Sequence, residues 1–346
     1  MKTHTVIIIG AGPGGLAVAA DLADRGIECV VFEKGDIGQS WLIYPSDTHL
    51  LSESTERKGH HDENMIAGVP TSAVFPHIPH PNHIMYQKYL EHVAQVKKLH
   101  VELGAEINSV IYNPQLKKFL ITKHNDEEVL ADYVVWAAGM YSTPNEDMQC
   151  EGAYIHYAQM PYLEEMSDPI ITVVGGANGA SSVVLELAKP GRVVNLVVSH
   201  TYEIPLPIDC LWKEQMSFIQ ELERQGLVKI IENFRVKRIY DEMNDKGKTH
   251  FILESETGKK MTVSSRPIIC TGFKPNIEPI KEMIDIIPDD HDAFLDMDAH
   301  HQSKKQRGLY IAGAIGKFDA ESGFIRFFRD FGSVIGGEIA RQIQKQ

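Results

Sequence analysis

Two glycine-rich segments carry the residue types that bind a dinucleotide. The first, Gly10 to Gly15, follows a run of branched apolar residues and precedes a helix-forming stretch, and Glu33 closes the next apolar run. In such a fingerprint the first glycine permits a tight turn, the second lets the backbone approach a pyrophosphate, and the third lets the helix pack against the sheet. The phosphates lie at the helix N-terminus, where free N–H groups and the helix dipole favour negative charge. Glu33 is positioned to accept hydrogen bonds from a ribose.

The second segment, Gly175 to Ala180, repeats the order of strand, glycine turn and helix. Ala177 stands where the second glycine is expected and slightly crowds a pyrophosphate, whereas Ala180 at the third position is harmless. The following strand ends in Ser199 and His200, with neither the acid that holds a free ribose 2′-OH nor the Arg that pairs a 2′-phosphate. The sequence therefore predicts a second nucleotide site and leaves NADH and NADPH open. It leans to NADPH because this segment contains nothing that repels phosphate.

Metal and thiol chemistry have less support. His77, His80 and His83 are spaced by three, but the intervening prolines prevent a helix from gathering the rings on one face, so no metal site is predicted. The four cysteines are widely spread, without a Cys-x-x-Cys pair. This excludes a disulfide scaffold, a zinc ribbon and the usual dithiol of a thioredoxin-type reductase. Cys210 is the one thiol we would test for disulfide reduction, and a buried structural thiol is the simpler interpretation.

Composition limits the classes of partner. The chain has 346 residues, 43% hydrophobic and 23% charged, which is typical of a globular protein with room for two domains. A net charge of −13 argues against a nucleic-acid surface. No apolar run is long enough for a membrane span, and Met1 to His4 leads into the first strand without room for a signal peptide. We therefore predict a cytoplasmic protein that binds neither nucleic acid nor membrane.

Alternating strands and helices must hold the two turns. A buried strand ending at Ala138 and Gly139, and another ending at Thr271 and Gly272, each return the chain from one nucleotide turn toward the other domain. The sequence predicts the α/β class, with two Rossmann-like three-layer domains and the second inserted into the first. The first domain is assigned to residues 1–147 and 273–346, and the second to residues 148–272.

Three helices outside the turns are also predicted from the pattern, and the first is an amphipathic helix over Trp212 to Gln225. Apolar residues spaced for one helix face predict a helix over Tyr86 to Leu103. A strand through Gly313 leads to a terminal helix from about Gly323 to Gln342.

The order of these motifs resembles the flavoproteins with two dinucleotide-binding domains, of the thioredoxin-reductase type. The resemblance covers nearly the whole chain and implies FAD in the first domain, NADPH or NADH in the second, and a homo-oligomer. The chain is particularly similar to the bacillithiol-disulfide-reductase-type flavoproteins. The segments that carry this similarity are Glu33 to Gly35, Tyr44-Pro45, Tyr141 to Asn145, His156-Tyr157 and Gly308 to Ile315.

One departure from that family concerns its proposed redox cysteine, which lies in the first glycine turn. This chain has Gly14 there, so a mixed disulfide beside the flavin cannot form at that place. A partial resemblance to flavin-containing monooxygenases rests on Gly38 to Trp41, which matches their Gly-x-Ser-Trp. It also rests on Gly152 to His156, although Cys150 and Met160 stand where that motif has aromatic residues.

Three functions stay open at this point. The favoured one is an FAD-dependent NAD(P)H oxidoreductase that passes a hydride from nicotinamide to FAD and on to a small diffusible acceptor. That acceptor is a low-molecular-weight disulfide, a quinone-like compound or oxygen. The alternatives are a flavin-containing monooxygenase that acts through a C4a-peroxyflavin, and an FAD-binding sensor or assembly protein without turnover.

The resemblance also implies site residues. Tyr44 and His156 are the candidates for a catalytic flavin-side group. The predicted cofactor-binding residues are Gly10, Gly12, Pro13, Gly14, Gly15, Glu33, Lys34, Gln39, Ser40, Trp41, Ala138, Gly139, Gly175, Gly176, Asn178, Gly179, Ala180, Ser199, His200, Thr271, Gly272, Gly313, Ala314 and Ile315.

Overall fold

The structure is a computed structural model in which the chain divides into two compact units. It describes residues 1–45, 48–56, 61–146, 148–151, 154–160, 163, 166–203, 211–243, 245, 247–288, 293–316 and 324–345. The first unit comprises Met1–Leu42, Ser52–Ser142 and Pro275–Gln346, and the second comprises Ile43–Leu51 and Thr143–Lys274. Each unit contains one of the two glycine turns.

Each glycine turn lies between a strand and a helix, and runs of consecutive strands follow further along the chain. The strands are β1 (Lys2–Ile9), β2 (Cys29–Glu33), β3 (Val101–Leu103), β4 (Ile107–Asn113), β5 (Lys118–Lys123), β6 (Glu128–Trp136), β7 (Gln149–Cys150), β8 (Ile155–His156), β9 (Ile170–Val174), β10 (Val193–Val197), β11 (Val228–Ile231), β12 (Val236–Met243), β13 (Thr249–Ser255), β14 (Lys260–Val263), β15 (Ile268–Ile269), β16 (Ile286–Pro288), β17 (Ala293–Leu295) and β18 (Leu309–Ile311). The α-helices are α1 (Pro13–Asp24), α2 (Gln39–Leu42), α3 (His83–Val96), α4 (Asn178–Leu187), α5 (Leu211–Arg224), α6 (Phe328–Phe331) and α7 (Gly337–Ile343). Short 3₁₀ helices cover Thr71–Ala73, Tyr157–Gln159, Glu278–Met283, Gly313–Gly316 and Ile325–Phe327, and Gly332–Gly336 forms a π-helical turn.

The first unit is organised around a seven-stranded sheet. Its order is β3-β2-β1-β6-β5-β4, and β18 pairs with β6 as well. Ile9 lies opposite Phe32 on one side and Trp136 on the other, and all three strands run parallel. Ile311 of β18 also pairs with Trp136 in parallel. The carboxyl ends of these strands therefore meet at one edge, which is where open α/β sheets bind ligands.

The second unit contains a smaller parallel sheet and an antiparallel one. The parallel sheet has the order β11-β10-β9-β15-β8, and the other sheet has the order β14-β13-β12-β7. Val174, the last residue of β9, pairs with Val197 and with Ile269. Apolar residues of both faces of the parallel sheet are buried, as expected for parallel strands covered on both sides.

Two predicted helices differ from the structure. The prediction of a helix over Tyr86 to Leu103 is wrong in its second half. Helix α3 ends at Val96, and Val101–Leu103 forms strand β3 beside β2. Lys98 adopts a left-handed φ of 51°, which ends the helical path.

The terminal helix, predicted from about Gly323 to Gln342, is segmented. It runs as a 3₁₀ turn, α6, the π turn and α7, while Gly323 itself lies outside the described residues. Gly332 packs so closely on α1 that an added Cβ would lie 2.7 Å from the Ala17 carbonyl oxygen. Within the described residues, no helix has the length and apolar character needed to cross a membrane.

Candidate nucleotide-binding sites

The first glycine turn joins β1 to α1 under tight steric constraint. Gly10 has φ +107°, and a Cβ there would lie 2.3 Å from the Ala137 carbonyl oxygen. A Cβ on Gly15 would lie 2.1 Å from the Gly10 carbonyl oxygen. Gly12 is different, because a Cβ there would meet nothing within 4 Å. Gly10 and Gly15 are therefore required by the fold, whereas the open side of Gly12 is free to accept a ligand.

The N-terminus of α1 is available to an anion. Its cap residue, Gly12, supplies no side-chain hydrogen bond, and Pro13 stands at the first helical position. By contrast, α3 is capped by Asn82, whose Oδ1 accepts the N–H of Met85 at 3.0 Å. The free N–H groups and dipole of α1 thus fit a pyrophosphate.

Glu33 orders the loop around this turn. Its Oε2 accepts the backbone N–H of Ala11 at 2.8 Å, and its Oε1 accepts the N–H of Gly35 at 2.9 Å. The residue is 7% exposed. Each carboxylate oxygen keeps a second lone pair, so a ribose hydroxyl can donate to a carboxylate that the turn already holds in position.

The turn also contacts the start of the 3₁₀ helix that follows β18. A Cβ on Gly14 would lie 2.5 Å from both the N and the Cα of Gly313. Ala314 and Ile315 continue that 3₁₀ helix, and Ile315 is buried in the core. The predicted residues of the first turn and of the Gly313 segment are thereby brought together. Sequence reasoning did not find this contact, because the two glycines lie at opposite ends of the chain.

The loop after β2 is held by its own polar groups. Gly38, with φ +69°, donates its N–H to the Ala11 carbonyl at 3.0 Å. Gln39 accepts the Asp36 N–H at 2.9 Å, and Trp41 packs edge-on against Tyr86 with ring centroids 4.8 Å apart. The hydrogen bond from Gly38 connects the loop to the glycine turn, and the loop contains four of the predicted cofactor-binding residues: Lys34, Gln39, Ser40 and Trp41. The side chain of Lys34 is exposed.

The second turn repeats the packing of the first. Gly175 has φ +136°, and a Cβ there would lie 2.4 Å from the Cys270 carbonyl oxygen. This close approach matches the one between Gly10 and the Ala137 carbonyl oxygen. Its N–H donates to Val197 at 2.9 Å. Helix α4 has Ala177 as its cap residue and no side-chain cap, so a second open helix N-terminus results.

The backbone that follows β6 and the backbone that follows β15 contact the first and second glycine turns in the same way. Ala138 and Gly139 follow the strand that contacts Gly10, and Gly139 has φ +69°. In the second unit, Gly272 has φ +77°, and Thr271 Oγ1 donates to the Asn145 carbonyl at 2.7 Å.

The remaining predicted residues of the second turn have separate surroundings. A Cβ added at Gly176 would lie 3.3 Å from the Val198 side chain, and a Cβ added at Gly179 would lie 2.9 Å from the Tyr157 ring. Asn178 begins α4 and Ala180 is buried in the core beneath it. At the end of β10, Ser199 Oγ and His200 Nδ1 are 2.8 Å apart. Gly179 thus has a packing reason to be glycine that is independent of any ligand.

Both catalytic candidates lie in the second unit. Tyr44 lines a small cavity along α4 with Tyr157, and burial raises its pKa to about 12. His156 is fully buried, and its Nδ1 accepts the N–H of Ala158 at 3.2 Å as a cap on the 3₁₀ turn. Burial lowers the pKa of His156. A buried, neutral capping ring is suited to a structural role.

Comparison with known proteins identifies the family. Residues 7–313 match the model of the pyridine nucleotide-disulphide oxidoreductase family. The chain belongs to that family. The predicted fold class, the prediction of a flavin-dependent oxidoreductase and the prediction of FAD with a nicotinamide nucleotide are confirmed at the level of this family.

The relatives of this chain include a reductase and flavin-containing or indole-3-pyruvate monooxygenases. Over 356 residues the chain is 24% identical to bacilliredoxin reductase Bdr of Bacillus subtilis, covering 100% of this chain and 99% of that one. It is also 24% identical over 237 residues to indole-3-pyruvate monooxygenase YUCCA1 of Oryza sativa subsp. japonica, covering 66% of this chain and 55% of that one. The chain spans about half the length of the curated monooxygenases it matches.

A solved structure agrees over the whole fold. Bacillithiol disulfide reductase Bdr (YpdA) from Staphylococcus aureus superposes with a TM-score of 0.81 at 23% identity, covering 100% of both chains. The residues of the first turn fit FAD, because Gly12 leaves its side open, α1 is uncapped and Glu33 is held facing the turn. Gly152 of the monooxygenase-like motif and Cys210 lie outside the described residues.

Proposed function

We propose that this protein is an FAD-dependent NAD(P)H oxidoreductase that delivers electrons to a small diffusible acceptor and not through a cysteine of its own. Bound FAD would supply the chemistry, taking a hydride from the nicotinamide and passing electrons on. The chain's residues would bind and orient: open helix N-termini at α1 and α4 for the phosphates, and Glu33 for a ribose hydroxyl.

The contact between Gly14 and Gly313 is the observation that carries this proposal. A side chain at position 14 would place its Cβ 2.5 Å from the backbone of Gly313, a distance that a backbone atom cannot accommodate without moving. The sequence has no cysteine in the first turn, and the packing around Gly14 disfavours a cysteine side chain at that position.

The described cysteine side chains are poor candidates for an alternative redox thiol. Burial raises the pKa of Cys29 to about 11 and raises the pKa of Cys270 further. The reactive species in thiol exchange is the thiolate, so both side chains would be protonated and inert at neutral pH. Cys29 Sγ also donates to the Ala19 carbonyl.

Acceptor turnover with and without thiols tests the proposal. The protein is loaded with FAD and assayed with NADH and with NADPH against low-molecular-weight disulfides, quinones and oxygen. A variant with all four cysteines replaced by Ala is assayed in parallel, and anaerobic bleaching of its FAD by the nicotinamide nucleotide reports that it still folds. We expect unchanged acceptor turnover. Normal bleaching with acceptor turnover lost would show that a thiol carries the electrons and would overturn the proposal.

A monooxygenase is the second candidate, favoured by the identity to the plant monooxygenase and by the absence of a thiol at Gly14. The two functions differ in the fate of oxygen. Without organic substrate, we expect an oxidase-like reductase to release hydrogen peroxide for each nicotinamide nucleotide consumed. Incorporation of ¹⁸O from labelled oxygen gas into an added amine, sulfide or ketone would instead establish the monooxygenase.

A further inference from the structure

The end of strand β10 lacks a ribose-binding acid at the structurally equivalent position. In the first unit, the N–H of Gly10 donates to the carbonyl of Phe32, and Glu33 is the next residue after Phe32. In the second unit the same bond runs from Gly175 to Val197, so Val198 occupies the position of Glu33. Val198 is apolar and 1% exposed. Its side chain cannot accept a hydrogen bond from a ribose.

The neighbouring strand supplies an acid at the same edge of the sheet. Glu232 follows β11 directly, and its Oε1 accepts the backbone N–H of Tyr202 at 2.8 Å. The N–H of Phe234 donates to the Val198 carbonyl at 2.9 Å, which holds residues 232–234 alongside the loop that follows β10. Glu232 is exposed, and its Oε2 has no partner among the described residues. A carboxylate oxygen thus stands available beside this loop.

Negative charge is not balanced at this place. Glu223 lines the same polar groove of about 270 Å³ as Glu232. Residues 198–203 and 232–234 contain no Lys or Arg. The next cation along the chain, Arg235, faces a different carboxylate at 3.9 Å. Among the described residues that line this groove, a phosphate would therefore meet two carboxylates and neither Lys nor Arg.

Tyr202 fixes the loop that Glu232 contacts. Its ring is 4% exposed and packs in the core of the second unit, beside Ser181 of α4. The loop is thereby anchored to α4 through the ring and to the segment after β11 through the backbone. Glu232 is held in position by this anchor and does not depend on a ligand to order it.

We propose that Glu232 makes the second nucleotide site selective for NADH over NADPH, an inference that rests on the proposed function. An acid at this edge accepts a hydrogen bond from the free ribose 2′-OH and repels a 2′-phosphate. The sequence favours NADPH only because the segment after β10 contains no group that repels phosphate. Glu232, which lies beside that segment in the structure, is a group that repels phosphate. Its distance in sequence from Ser199 hides it from any local pattern.

Binding of oxidised nucleotides tests the proposal without relying on turnover. Isothermal titration of the FAD-loaded protein with NAD⁺ and with NADP⁺ gives the ratio of the two affinities. Glu232→Gln keeps the size and the amide oxygen that can accept the Tyr202 N–H while removing the charge. Glu242→Gln, on the exposed face of β12, is the control with the same change in net charge. Ser199→Arg is a second variant that adds a cation and leaves the Tyr202 contact intact.

We expect NAD⁺ to bind the unmodified protein about tenfold or more tightly than NADP⁺. Glu232→Gln and Ser199→Arg should each narrow that ratio, and Glu242→Gln should leave it unchanged. NADP⁺ binding as tightly as NAD⁺, or a ratio that neither variant changes, overturns this inference and leaves the proposed function standing. Failure of both nucleotides to bind overturns the two together.

Discussion

Gly12 offers a perturbation that separates FAD binding from folding. A Cβ on Gly12 would meet no atom within 4 Å, and its φ of −81° and ψ of 179° suit any residue. Gly12→Ala should therefore change the free energy of unfolding of the FAD-free protein by no more than about 1 kcal/mol. The added methyl group, however, would occupy the space through which a pyrophosphate approaches the helix N-terminus.

The expected loss of FAD affinity follows from overpacking. Inserting a methyl group into a close contact costs about 1 to 3 kcal/mol. This corresponds to a dissociation constant for FAD raised by roughly 5- to 150-fold. Gly337→Ala is the matched control, because a Cβ there lies at an ordinary 3.6 Å from Arg25, within the helical α7 of the same unit.

Two measurements decide the outcome. Urea unfolding of the FAD-free variants gives stability, and fluorescence titration with FAD gives affinity. Gly12→Ala should lose affinity at wild-type stability, while Gly337→Ala should keep both. Wild-type FAD affinity in a stable Gly12→Ala protein would refute the assignment of the pyrophosphate to this turn.

Three further predictions concern packing and pH. Gly14→Cys should lower the free energy of unfolding by about 1 to 3 kcal/mol, measured in urea, because its Cβ meets Gly313; wild-type stability would contradict the close contact. Gly332→Ala should cost a similar amount, about 1 to 3 kcal/mol, against the Ala17 carbonyl, and a neutral result would disprove that packing. Because the pKa of Cys29 is raised from 9.0 to about 11, its contribution to stability is present below pH 9 and lost as the pH rises through about 11. Cys29→Ala should therefore flatten the alkaline loss of stability, and an unchanged pH profile would count against the raised pKa.

Local sequence patterns predicted the elements that depend on local chemistry. The glycine turns need positive φ at Gly10 and Gly175, and a residue type that meets this need can be read directly from the sequence. Helix α5, expected over Trp212 to Gln225, spans Leu211–Arg224, because its apolar residues keep one face buried. Fold class therefore followed from residues close together in the chain.

Features that depend on distant residues could not be read in the same way. Val101–Leu103 continues an apolar pattern that suits a helix, yet it forms β3 because β2 offers an unpaired edge. The carboxylate of Glu232 reaches the end of β10 only through strand pairing. His156 is a candidate flavin-side group by resemblance alone, and its burial and its hydrogen bond to the Ala158 N–H, which cap a 3₁₀ turn, are visible only in the structure.

Anaerobic titration of the FAD-loaded protein with a nicotinamide nucleotide shows whether one turn binds FAD and the other binds the nucleotide that reduces it. We expect the visible absorbance of bound FAD to be lost in proportion to the NADH or NADPH added. Protein that takes up no FAD, or FAD that stays oxidised with both nucleotides, would contradict it.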